Sequence, residues 1–208
     1  MKTEKVGIKL HHDDLPNNLI IGSEVAIDTE TLGLNIERDR LCLVQINFGS
    51  KETHLIKIKS KVAPAPNLKK ILEDKSIKKI FHFARFDVAV LNRYLDTKIE
   101  NIYCTKIASK IARTYTDKHS LKELCKELLN AELSKEQQSS DWGASELSEK
   151  QMIYAANDVI FLHRIKECLD EILKRENKYD LAQSCFNFIE TQVRLDLNGW
   201  KDQNIFEH

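Results

Sequence analysis

Strand-like runs crowd into the first part of this chain and vanish from the rest. VGIKL (6–10), EVAIDT (24–29), LCLVQINF (41–48) and THLIKI (53–58) are short apolar or alternating runs divided by turn-like stretches. The close spacing of the last three predicts an antiparallel meander. From about residue 66 helix and strand alternate: PNLKKILED as helix, KKIFHF as strand, RFDVAVLNRYL as helix and a short strand near IYCT. Beyond Cys104 only helical patterns remain. TKIASKIART and SLKELCKELLN come first, the latter with Ser120 and Glu123 spaced for capping, and a polar loop around KEQQSSDWG follows. Ser148 and Gln151 then form the capping-box pattern of a long helix predicted to run to about Glu176, and a last helix runs from about Tyr179 to Asn198 with Gly199 as its stop. The pattern predicts an α/β fold: a mixed five- to six-stranded sheet flanked by helices, with an all-helical C-terminal half.

A chain of 208 residues buries a sizeable core and is expected to form one domain, 1–208, with its core over about 20–175 and a C-terminal helix over about 178–199. Thirty-two basic residues balance thirty-two acidic ones, which removes the strong positive field of a protein that grips long nucleic acid and favours a short substrate. Five cysteines (Cys42, Cys104, Cys125, Cys168, Cys185) without a Cys-x-x-Cys pair speak against a disulfide framework or a structural zinc. No apolar leader opens the chain, and no segment approaches the ~20 apolar residues of a membrane span. The expected setting is the cytoplasm.

Acidic residues stand where strands end. Asp28 and Glu30, two apart at the end of VAIDTE, project from one face of a strand, followed by Gly33 and Leu34. Taken alone the pair is also compatible with a solvated strand end. Asp87 lies just after KKIFHF in the first turn of a helix, a position that plain helix capping also explains. Tyr154 and Asp158, four apart in IYAANDVIFLH, share one helix face turned toward the body of the protein, where a carboxylate requires a partner. Four carboxylates from two strand ends and a later helix would make a pocket tolerable only with bound cations, and such hard oxygen donors suit Mg²⁺ or Mn²⁺.

In order and spacing these residues resemble the three motifs of DnaQ-like 3′→5′ exonucleases on an RNase H-like fold. Asp28-Thr-Glu30 matches the first, Asp87 within His82-Phe-Ala-Arg-Phe-Asp87 the second, and Tyr154-Ala-Ala-Asn-Asp158 the tyrosine form of the third. The histidine form would need His at position 153, which is Ile. LCLVQI, TKIASK, LKELC and SSDW are similar to the RNase D branch, over about residues 20–175. The chain is too short for the additional helical RNA-binding domains of RNase D itself, and it looks closest to the nanoRNase C family, which cleaves dinucleotides and very short oligoribonucleotides. Many relatives carry Asn four residues before the second-motif Asp; here that residue is Phe83.

The resemblance implies two divalent cations roughly 4 Å apart, one activating water and one stabilising the leaving 3′-oxygen. Asp28 would bridge them, Glu30 and Asp158 complete the ion nearest the water, and Asp87 support the other directly or through water. Tyr154 would orient the water. Leu34 matches an apolar wedge for terminal bases, against the alternative of a core leucine; Gly33 precedes it, and Thr31 is suited to the terminal nucleotide. His82 is a candidate phosphate or base contact or, equally, a strand-end histidine. Lys106, Lys110, Arg113 and Lys118 are candidates for a 5′-phosphate or, alternatively, a solvated helix face. Expected partners are short single-stranded RNA or dinucleotides and, by resemblance, further copies of the chain, with Trp200 and Phe206 as contacts. The same acidic set would serve a DNA exonuclease or an RNase D-like trimmer, and an inactive nuclease-like scaffold is the alternative of another kind.

Overall fold

A computed structural model of the chain describes residues 7–59, 64–133, 137 and 139–207. Val6, expected to open the first strand, and residues 134–136 and 138 of the polar loop lie outside the described residues. Strands β1 (Gly7–His12), β2 (Glu24–Thr31), β3 (Leu41–Asn47), β4 (Glu52–Lys57), β5 (Lys78–Phe81) and β6 (Ile102–Cys104) form one mixed sheet in the order β1-β4-β3-β2-β5-β6. As the spacing predicts, β2, β3 and β4 make an antiparallel meander, whereas β1 joins β4, β5 joins β2 and β6 joins β5 in parallel. Every residue of β3 is buried, which is why LCLVQIN reads as a nearly unbroken apolar run.

The helices are α1 (Pro66–Glu73), α2 (Ala84–Leu95), α3 (Thr105–Ala112), α4 (Leu121–Leu129), α5 (Glu149–Ile160), α6 (Leu162–Arg175) and α7 (Tyr179–Leu195), the last continuing into a π-type turn, Asp196–Trp200. Ser120 accepts from the Glu123 amide, and Ser148 with Gln151 completes the expected capping box. Gly199 ends the last helix at φ 100°, a left-handed conformation that favours glycine. One helix was expected from Ser148 to Glu176; the chain instead breaks at Phe161. The two pieces answer to different surfaces, α5 packing on the sheet and α6 against α3 and α4.

Alternation along the strands divides the core. Val25, Ile27, Val44, Ile46 and Ile56 join the main cluster with α1 and α2, while Leu43 and Leu55 pack with Trp142, Leu147 and Ala155 under α5. Asp28, Glu30 and Gln45 belong to this second face by register, since Asp28 stands opposite Gln45 and Glu30 opposite Leu43. Pairing of β2 with β5 stops at Ala26–Ile80, so Asp28 to Thr31 run on past the end of their neighbour. The strand order reverses between β2 and β5, the switch point where an open sheet leaves a crevice at its strand ends.

Candidate active site

The crevice collects all four motif carboxylates. Oxygen atoms of Asp28, Glu30 and Asp158 lie within 4.8 Å of one another. The first two come from one face of β2 and the third from α5, which crosses that face. Asp87 arrives from α2 on the opposite face, through the gap that β5 leaves beside β2. It is 3% exposed, and its Oδ1 accepts from the Thr29 hydroxyl at 2.7 Å. Thr29 points away from its neighbours Asp28 and Glu30, so a single strand supplies two carboxylates on one side and the anchor for a third on the other.

Burial and mutual repulsion dominate the electrostatics. Burial, before anything else, pushes the Asp28 carboxyl up to about 7, with the Thr29 amide opposing. Glu30 is pushed up to about 10 by burial and then by Asp28, Asp158 and Asp87. Asp87 and Asp158 are held well above the usual carboxylate range by burial and by Asp28, each partly relieved by a hydroxyl, Thr29 for the former and Tyr154 for the latter. Among the described residues no ion pair reaches any of the four. Hard oxygen donors crowded together without a basic partner fit divalent cations.

Tyr154 faces the same cluster. Burial, followed by Asp158, Glu30 and Asp28, raises its hydroxyl above the ordinary tyrosine range. Its ring lies 6.0 Å from that of buried Trp142, and the loop carrying Trp142 is tied down by Lys57, whose Nζ donates to the carbonyls of Ala144 and of Ser145, the latter at 2.8 Å. Two neighbours escaped the sequence reading. Gln45 Nε2 donates to Asp28 Oδ2 at 3.3 Å, and its buried Oε1 has no partner among the described residues. A polar residue at a both-faces-buried strand position was the signal for Gln45, as SSDW was for Trp142.

The other candidates separate. Leu34 is 80% exposed and therefore not a core leucine. Its loop is held by Asp39, which accepts from the Asn35 amide at 3.0 Å and from Arg38 Nε at 2.6 Å, while Thr31 donates to the Gly33 carbonyl. A Cβ on Gly33 would stand 2.3 Å from Asp39 Oδ2, so a larger residue would have to displace the Asp39 carboxylate. His82 Nδ1 and the Thr105 hydroxyl are 2.9 Å apart, and burial, then Lys106, pushes the ring down to about 3, leaving it neutral. Lys106 Nζ sits 4.4 Å from the centroid of the exposed Phe83 ring. Arg113 is a correction to the expected basic patch. It is 0% exposed, its guanidinium taken up by Glu127, by the Ser109 hydroxyl at 3.0 Å and by the Lys118 carbonyl at 2.9 Å, so it ties α3 to α4 and offers nothing to a phosphate.

Residues 9–174 match the family described as 3′-5′ exonuclease. Ribonuclease D of Gluconacetobacter diazotrophicus is 31% identical over 160 residues, 77% of this chain and 40% of that protein, and DNA polymerase I of Aquifex aeolicus is 35% identical over 192 residues, 84% of this chain and 31% of that protein. The chain thus spans two fifths or less of the length of these two relatives. Brucella melitensis NrnC bound to pGG superposes with a TM-score of 0.94 at 52% identity, over 98% of this chain and 99% of that one. The same protein with bound Mg²⁺ superposes with a TM-score of 0.92 at 51% identity, over 97% and 99%. The three motifs, the strand order and these matches agree: the chain belongs to the DnaQ-like 3′-5′ exonuclease family, on the branch that holds ribonuclease D and NrnC.

Proposed function

We propose that this chain is a 3′→5′ exoribonuclease, dependent on two divalent cations, Mg²⁺ or Mn²⁺, that hydrolyses short oligoribonucleotides and above all dinucleotides to nucleoside 5′-monophosphates. The observation that carries this reading is the convergence of Asp28, Glu30 and Asp158 within 4.8 Å, beside Asp87 and Tyr154. Asp28, Glu30, Asp87 and Asp158 would hold the cations, which when bound supply the Lewis acidity that eases ionisation of a water and spreads the charge of the leaving oxygen. Gln45 fixes Asp28, and Thr29 fixes Asp87. Tyr154, braced by Trp142, keeps its proton in the metal-free site and serves to hydrogen-bond and orient the attacking water for in-line displacement.

Preference for a short substrate is supported by NrnC, which carries pGG and aligns over nearly its whole length with this chain. A balance of 32 basic and 32 acidic residues agrees, since a long strand is gripped through many phosphate contacts. The described residues contain no helix long and apolar enough to cross a membrane, and the five cysteines are free thiols, which suits the cytoplasm. Self-association through the C-terminal segment is part of this reading, with Trp200, Ile205 and Phe206 exposed there.

Turnover of 5′-labelled ribodinucleotide, a heptamer and a longer strand, beside DNA of the same lengths and an EDTA control, tests it. Fastest turnover of the ribodinucleotide, abolished by EDTA, is the expected result. Efficient stepwise shortening of the long strands would replace it with a general trimming activity.

A further inference from the structure

Phe83 is placed where the sheet opens and is held there against its own preference. It stands between β5 and α2 with φ 72° and ψ 46°, a left-handed conformation that an aromatic residue adopts only under constraint. Despite that, the residue is 47% exposed, so burial does not compensate for the strained backbone. Strain of this kind, unrewarded by packing, points to a role at the surface.

Its surroundings define the role. Strands β2, β5 and β6 are parallel, so their C-terminal ends open at one edge of the sheet. Leu34 follows the first, Phe83 the second and Lys106 the third. Asp87 lies four residues after Phe83, one helical turn further into the carboxylate cluster. Lys106 Nζ, 4.4 Å from the centroid, sits over one face of the Phe83 ring and fixes its orientation by a cation–π contact. A flat apolar face at the mouth of a phosphodiester-cleaving site suits a nucleobase, since every base presents a π-face irrespective of sequence.

We propose that Phe83 is the stacking platform for a base of the substrate, on the strand end next to that of Leu34, with Lys106 as the positioning residue that holds its ring. This deepens the proposed function and rests on it for the identity of the substrate as single-stranded nucleic acid. The two apolar side chains then act on the bases from neighbouring strand ends while the carboxylates act on the linking phosphate.

The test compares wild type, Phe83→Leu, Phe83→Trp and Phe83→Asn on single-stranded oligonucleotides from dinucleotides upward, each variant read at the substrate that wild type prefers. The wild-type length profile alone judges the proposed function; the ratio of variant to wild type judges the platform. Loss of one base stack predicts KM raised about tenfold in Phe83→Leu and Phe83→Asn, with kcat within about threefold and Phe83→Trp retaining the wild-type KM. Because Asn tolerates the left-handed conformation, Phe83→Asn should melt no lower than wild type, whereas a structural ring would lower the melting temperature when removed. Lys106→Met should raise KM less than Phe83→Leu does, and by less still in the Phe83→Leu background. An unchanged KM in Phe83→Leu and Phe83→Asn, or a kcat loss with KM unmoved, overturns the proposal.

Discussion

The Thr29 hydroxyl donates to Asp87 Oδ1 at 2.7 Å, and it is this bond that joins a carboxylate from one side of the sheet to a cluster on the other. Thr29→Val keeps the shape and deletes the donor. A hydrogen bond to a charged group contributes about 1.5–3 kcal/mol, so the Mg²⁺ concentration for half-maximal activity should rise about tenfold or more while the fold persists. A metal titration of activity beside far-UV circular dichroism checks this, and an unmoved midpoint would remove Thr29 from the site.

Removing Asp28 should abolish cleavage and leave the metal-free fold no less stable. After burial, Asp28 is the strongest influence raising Glu30, Asp87 and Asp158, so Asp28→Ala deletes repulsion along with a proposed ligand. Activity should fall on the order of a thousandfold or more, with the metal-free melting temperature equal to or above that of wild type. Substantial residual turnover would sink the assignment of Asp28.

Acidity of the cluster gives a signed pH dependence. Asp28 and Glu30 are pushed up to about 7 and about 10, so in the metal-free fold they retain protons that the unfolded chain releases. The unfolded state then binds fewer protons, and metal-free stability at this site is full below the ordinary carboxylate range and declines as pH climbs through those values. Cations bound at the proposed site would displace the same protons. The rise in melting temperature on adding Mg²⁺ should therefore grow between about pH 5 and about pH 9, and EDTA should reverse it; a shift that shrinks over that range would contradict the cluster as the metal site.

Tyr154→Phe should lower kcat about a hundredfold or more with KM within about threefold, the pattern of a group that acts on the reacting water and not on substrate binding. Steady-state kinetics on the preferred oligonucleotide decide the matter. Equal turnover would exclude the hydroxyl.

Gly33→Ala should act on Leu34 from a distance. The added Cβ meets Asp39, which is pinned by Arg38 and the Asn35 amide and cannot swing aside without breaking those bonds. Overpacking of this kind costs about 1–3 kcal/mol, and KM should rise in the same direction as for Leu34→Ala. A melting temperature and KM both at wild-type values would show the loop to be plastic.

Much of this was legible because the informative residues lie on regular elements. Alternation in VAIDTE put Asp28 and Glu30 on one face, helical spacing joined Tyr154 to Asp158, and the capping pattern at Ser148 and Gln151 located the start of α5. What escaped depends on contacts distant in sequence. The break at Phe161 arises because α5 and α6 dock on different surfaces, and no residue there is a Pro or Gly that would announce it. Arg113 looked like a surface cation because its acceptors, Glu127 and the Lys118 carbonyl, belong to segments whose closeness only the fold creates. Gln45 reads as one polar residue in an apolar strand until the antiparallel register sets it opposite Asp28.

The shortness of β5 beside β2 reaches beyond geometry. The proposed ligands for the cations come from α5 and β2 on one side and α2 on the other, so they would assemble only when both layers are docked on the sheet. Heating that loosens either layer would scatter the ligands before the strands separate. Catalytic output is in that sense a gauge of the completeness of folding, and inactivation on warming should run ahead of the loss of secondary structure.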